Sequence, residues 1–134
     1  MANFIKKAFI VASVMMPLGV AIAEPSPVEL VLGVEMSYQE YAKTLVPDNH
    51  WAAFNTLINN ESNWNPKAQN PVSTAFGIGQ FLDGTWATVG CEKTTDPKKQ
   101  IDCTVSYVDK NYGNATEALR MWNHRKITTG HGWY

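Results

Sequence analysis

A glutamate at the end of an apolar stripe is the first candidate for chemistry. Trp51, Phe54, Leu57 and Ile58 recur at helical spacing, and Glu61 takes the next place, since residues 54, 57, 58 and 61 share one face of a 3.6-residue period. A carboxylate there meets apolar neighbours and the C-terminal end of the helix dipole. Both penalise the anion and raise its pKa. A carboxylic acid that keeps its proton near neutral pH is what general acid catalysis requires. Periodicity leaves a second reading open, in which Glu61 marks a frayed helix end and turns to solvent.

The residues that follow narrow the choice. The chain runs Glu61-Ser62-Asn63-Trp64-Asn65-Pro66-Lys67-Ala68, continues through Asn70 and Ser73, and reaches Ala75-Phe76-Gly77-Ile78-Gly79-Gln80-Phe81. This run resembles the lytic transglycosylases of the soluble-transglycosylase type, in the lysozyme-like superfamily, as a short single-domain form. The family pattern is a catalytic Glu followed by Ser, an aromatic residue, Asn or Asp, Pro and Ala, then a segment ending in Gly-x-x-Gln. The resemblance is dense from about Trp51 to Trp86 and looser towards the C-terminus. There Ala118-Leu119-Arg120-Met121-Trp122-Asn123 is similar to the family's late Ala-Leu-x-x-Tyr-Asn, with Trp122 in place of the Tyr and His124-Arg125 in place of the usual Ala-Gly.

The resemblance implies that Glu61 is catalytic. It protonates the glycosidic oxygen after N-acetylmuramic acid, then acts as base while the sugar's own 6-hydroxyl closes a 1,6-anhydro ring. Glycan strands of peptidoglycan are the implied partner, and no cofactor is expected. Ser62, Asn70, Ser73, Gly77 and Ile78 are the implied substrate-binding residues of the first half, joined by Gln80, Phe81, Trp122 and Asn123.

Each part has a physical reading beside a plainer one. Ser62 is able to hydrogen-bond the carboxylate or to cap the helix end. Gly77 and Gly79 let backbone approach a ligand closely, or make an ordinary tight turn. Gln80, with one acceptor and two donors, suits the hydroxyl and acetamido groups of an amino sugar. Trp64, Phe76, Phe81 and Trp86 offer apolar faces to sugar rings wherever they are not simply core. Between Ser62 and Leu82 there is no Asp or Glu, and Asp83 reads as a first-turn helix residue. A glycosidase normally carries a second carboxylate as nucleophile or base. Its absence fits attack by the substrate's own hydroxyl better than hydrolysis. Two alternatives stay open: a lysozyme-type hydrolase of the same bond, and a catalytically weak wall-binding or assembly module, for which Trp122 is the motivating feature.

The elements that must position these residues read as helices. Ser37, with Glu40 three residues on, predicts a capping box opening a helix to about Leu45. Pro47-Asp48 introduces a second, capped by Asp48 or Asn49 and running to about Glu61. A third spans Leu82–Val89 and stops at Gly90. Asp96-Pro97 opens a fourth, carrying Ile101, Val105, Val108 and Tyr112 at helical spacing to Gly113. Asn114 caps a fifth from Ala115 to about Asn123. The expected fold is mainly α: a small lysozyme-like helical domain over residues 37–134. The closing Gly130-His131-Gly132-Trp133-Tyr134 reads as a packing tail, with Trp133 and Tyr134 as candidates to border the cleft.

Residues 1–23 read as an address. Lys6 and Lys7 precede an uncharged stretch from Ala8 to Ala23, which closes on Ala21-Ile22-Ala23. That is the order of a signal peptide, with cleavage near Ala23-Glu24. Sixteen residues containing Pro17 and Gly19 are short for a hydrocarbon core of roughly 30 Å. Residues 24–36 form a polar, Pro-containing lead-in and an unassigned apolar stretch. Export to the periplasm or beyond would join Cys91 and Cys103, twelve positions apart, in a structural disulfide. His50, His124 and His131 show no ligand spacing, so no metal site is expected.

Composition closes off other classes. The 134 residues are 45% hydrophobic and 17% charged, with five each of Trp, Tyr and Phe, which argues for one folded domain rather than disorder. Eleven Lys and Arg against twelve Asp and Glu give a net charge of −1, which excludes a nucleic-acid binder that depends on a cationic face. A monomer is expected, since no obligate interface is suggested. Small size and export motivate a wall-opening role within a secretion, conjugation or phage apparatus.

Overall fold

The computed structural model describes residues 35–134. The expected signal peptide, its expected cleavage point and most of the lead-in lie outside them. Glu35–Tyr134 forms one unit built from five helices in sequence: α1 (Tyr38–Leu45), α2 (Asp48–Glu61), α3 (Asp83–Thr88), α4 (Pro97–Tyr112) and α5 (Ala115–Thr129). Among the described residues there is no strand, and the extended pairing amounts to two isolated bridges, Gln69 with Phe76 and Phe76 with Phe81. The mainly α expectation holds.

Local chemistry explains most of the boundaries. Ser37 accepts from the Glu40 amide while the Glu40 carboxylate accepts from the Ser37 N–H, a full capping box at the start of α1. Asp96 accepts from the amides of Lys98 and Lys99 ahead of Pro97, and Asn114 accepts from the Glu117 amide at the start of α5. Gly113 and Gly130 end α4 and α5 in the left-handed conformation. Two expectations need correcting. The second helix has Pro47 at its N-cap, with Asp48 already its first residue and no side-chain cap bond. The fifth helix does not end at Asn123 but continues to Thr129. The polar run after Asn123 has no apolar period, yet holds no Gly or Pro before Gly130, so nothing stops the backbone ladder.

Packing brings the two ends of the domain together. α2 packs most extensively against α5, and α1 packs against α4. Phe54, Leu57 and Ile58 of α2 meet Trp122 and Ala118 of α5 and Ile101 and Val108 of α4 in one core, joined by Trp64 and Ile78 from the long 62–82 segment. A smaller cluster of Phe81, Trp86 and Cys103 adjoins it, closed by the Cys91–Cys103 disulfide. Tying a twelve-residue separation is worth about 3 kcal/mol in the chain-entropy account. Among the described residues no helix is long and apolar enough to cross a membrane, and no group of three or more His, Cys, Asp or Glu is placed to hold a metal ion.

Candidate active site

Glu61 closes α2, and the same apolar face that buries Phe54, Leu57 and Ile58 brings its carboxyl into the protein rather than into solvent. Burial pushes its pKa from 4.5 up to about 7. Trp122 works against that shift by donating its indole N–H to Glu61 Oε1 at 2.7 Å. With Oε1 engaged as an acceptor, Oε2 is the oxygen left to carry a proton. The carboxyl opens on a cleft of about 390 Å³ lined by Asn60, Asn70, Gln80, Phe81, Leu82, Thr85 and the tail residues Gly132, Trp133 and Tyr134. Glu61 carries the one side-chain carboxylate among those lining residues. Asp83 stands outside, exposed and paired with Lys93 at 2.8 Å.

The chain leaves Glu61 under strain. Asn63, Trp64 and Gln80 have φ of 51°, 61° and 49°, and they are the non-glycine residues with positive φ among those described. Left-handed backbone costs an L residue roughly 1–2 kcal/mol, so something must hold each one. Trp64 is held by burial against Trp51 and Phe54 and by donating its indole N–H to Asn55 Oδ1 at 3.0 Å. Strain of this kind gathers at functional sites, and here it brackets the segment between the acid and Gln80.

The sequence-derived residues divide by what they do. Asn70, Gln80 and Phe81 line the cleft with Glu61. Ser62 does not touch the carboxylate; its hydroxyl donates to the Ile78 carbonyl at 2.8 Å, tying the helix end to the Gly-rich turn. Gln80 donates to the Ala68 and Gly77 carbonyls at 3.1 and 2.9 Å. Its two N–H donors therefore shape the loop, and its oxygen is the group left for a ligand. Asn70 and Ser73 accept from the amides of Val72 and Ala75 and so build the cleft-side loop, with Ser73 outside the lining. Ile78 is wholly buried core. Asn123 is exposed and away from the cleft, and Trp122 reaches the site through Glu61 rather than through its lining.

Two features were not found by sequence reasoning. Gln100, wholly buried on α4, donates to the carbonyls of Pro66 and Thr94 at 2.9 and 2.7 Å and accepts from the Ile78 amide at 2.8 Å. Its carboxamide fills the space beside Gly77, where a Cβ would stand 2.7 Å from it. So Gly77 is bare where Gln100 packs, and it is not among the cleft's lining residues. A polar residue beside Ile101 on the buried face of α4 was the available signal. Gly132 is the second, lying against the Trp122 ring. Tyr134, a candidate from the sequence to border the cleft, does line it. Its hydroxyl donates to the Gly79 carbonyl at 3.2 Å, and its pKa is pushed well above the usual value, first by burial and then by the neighbouring Glu61 carboxylate.

Residues 40–127 match the family model of the transglycosylase SLT domain. No curated protein and no solved structure gives a significant match.

Proposed function

The chain belongs to the transglycosylase SLT domain family, and we propose that it is an exported peptidoglycan lytic transglycosylase in which Glu61 serves as acid and then as base. Membership carries lytic-transglycosylase-type action on peptidoglycan. The residue roles and the route of bond cleavage are our reading. A single half-buried carboxyl, with pKa raised to about 7 and no second side-chain carboxylate lining its cleft, is the observation that supports it.

The chemistry balances with one residue. Glu61 Oε2–H gives its proton to the oxygen linking C1 of N-acetylmuramic acid to O4 of N-acetylglucosamine. As the C1–O bond breaks, positive charge develops on the muramyl ring and the Glu61 anion forms beside it. Trp122 N–H on Oε1 steadies that anion. The carboxylate then takes the proton of the muramyl 6-hydroxyl, O6 bonds to C1, and the acid is restored. No water is consumed, so no second carboxylate is needed to activate one. The cleft's Asn60, Asn70, Gln80 and Thr85 supply amide and hydroxyl groups for the sugars, with Trp133 and Leu82 as apolar faces.

Digestion of purified sacculi, followed by mass spectrometry, tests this. Muropeptides lighter by one water than their hydrolysed equivalents, absent with Glu61→Gln, are expected. Free reducing ends would replace the lyase by a hydrolase. Saccharide binding without turnover by either protein would replace it by a binding module.

Export rests on the leader-like residues 1–23, and the mature chain is proposed to open the wall locally for a secretion, conjugation or phage apparatus. Recovery from the periplasm or medium of protein beginning at Glu24 tests the first part. Pull-downs from envelope fractions that contain no apparatus component would count against the second.

A further inference from the structure

The tail after α5 folds back over the indole that holds the candidate acid. A Cβ built on Gly132 would overlap Cε2, Cζ2 and Cδ2 of Trp122, and Cε2 is bonded directly to the Nε1 that donates to Glu61. Backbone therefore packs against the ring beside its N–H, at a closeness open to glycine alone. The tail is pinned beyond that point. Arg125 Nη1 donates to the Trp133 carbonyl at 3.0 Å, and the Tyr134 hydroxyl donates to the Gly79 carbonyl at 3.2 Å on the far wall of the cleft.

Trp122 has no other hydrogen-bonding group with which to fix its angle, so its orientation depends on what presses its faces. We propose that Gly132 is a positioning residue: by letting the tail lie on Trp122, it holds the indole N–H against Glu61 Oε1. This rests on the reading of Glu61 as the acid, and it extends the active site to a segment that no catalytic motif marks. The Arg125 clamp keeps the tail in place, and Gly132 makes that place compatible with a tryptophan.

The test is Gly132→Ala, followed on the Trp122 indole N–H in proton–nitrogen correlation spectra, with the signal assigned by its loss in Trp122→Phe. In the wild type the signal lies downfield and exchanges slowly, as a short bond to a carboxyl requires. In Gly132→Ala it returns towards the free-indole position and exchanges about tenfold faster or more. If the wild type releases anhydro-muropeptides, kcat falls by about tenfold. Arg125→Met, which frees the tail without crowding the ring, moves both readouts in the same direction. In a Trp122→Tyr background the smaller ring accommodates the added methyl, and Gly132→Ala costs much less. An unchanged indole signal in both Gly132→Ala and Arg125→Met would overturn the proposal. A wild type that turns over no glycan would overturn the lyase reading instead, and the indole signal would still decide the role of Gly132.

Discussion

Trp122 and Glu61 lie 61 positions apart in sequence and 2.7 Å apart in space, the indole N–H of one on the carboxyl oxygen of the other. Each is presented by a helix whose remaining inward residues make the core between α2 and α5. An indole donates and cannot accept, so it supports the anion of Glu61 without competing for the proton. Trp122→Phe removes that support. Turnover is expected to fall by about 10- to 100-fold, the worth of a charge-assisted hydrogen bond. The alkaline limb of the pH–rate profile moves to higher pH, because the bond lowers the Glu61 pKa and its loss raises it.

Glu61→Gln keeps the shape and removes the transferable proton. Anhydro-muropeptide release is expected to drop by about 10³-fold or more, with the affinity for glycan fragments nearly unchanged. Calorimetric binding of chito-oligosaccharides to the variant checks the second half.

The pH dependence follows from the pKa of about 7. The acid must be protonated, so kcat/KM falls as pH rises through that value. Stability obeys the same linkage. The folded carboxyl holds a proton that the unfolded chain, at 4.5, releases, so stability declines as pH rises from about 4.5 to about 7 and is level above. Glu61→Gln lacks this cost. Its thermal midpoint is expected to exceed that of the wild type near pH 8 and to match it near pH 4.

Gln100 ties Ile78, Pro66 and Thr94 together from inside the core. Gln100→Leu preserves volume but leaves the Ile78 N–H and the Pro66 and Thr94 carbonyls without their partner. A loss of about 2–4 kcal/mol is expected, read as a lower urea midpoint at unchanged slope.

Joint Cys91→Ser and Cys103→Ser substitution opens the disulfide beside Phe81 and Trp86. The expected loss is about 3 kcal/mol, with anhydro products still formed at temperatures where the variant is folded. Urea titration of oxidised and reduced wild type checks the same quantity.

Much of this protein was readable in one dimension. The caps Ser37, Asp96 and Asn114 accept the amides expected of them, because an N-cap acts on residues two or three positions away. The stripe through Phe54, Leu57 and Ile58 placed Glu61 on a buried face, since helical period alone decides which residues share a side. The extent of α5 was harder, because a polar helix end carries no apolar period and ends where glycine allows it to.

Side-chain roles were less legible than elements. Ser62, Gln80, Asn70 and Ser73 belong to the motif-bearing segment, yet most of their hydrogen-bonding groups go to neighbouring backbone. A motif records that residues are needed and not whether they face a ligand or the loop that holds it. Gln100 and Tyr134 act across gaps of twenty or more positions, on Ile78 and on Gly79, and Gly132 lies against Trp122 from beyond the end of α5. Sequence by itself determined the order of the helices, the family and the face on which Glu61 lies, all of which depend on short-range periodicity and spacing. Tertiary structure alone decided the acid's environment: how deeply α5 and the tail bury Glu61, and which N–H meets its oxygen. Desolvation and hydrogen bonding depend on distances that the folded chain sets between residues far apart in sequence.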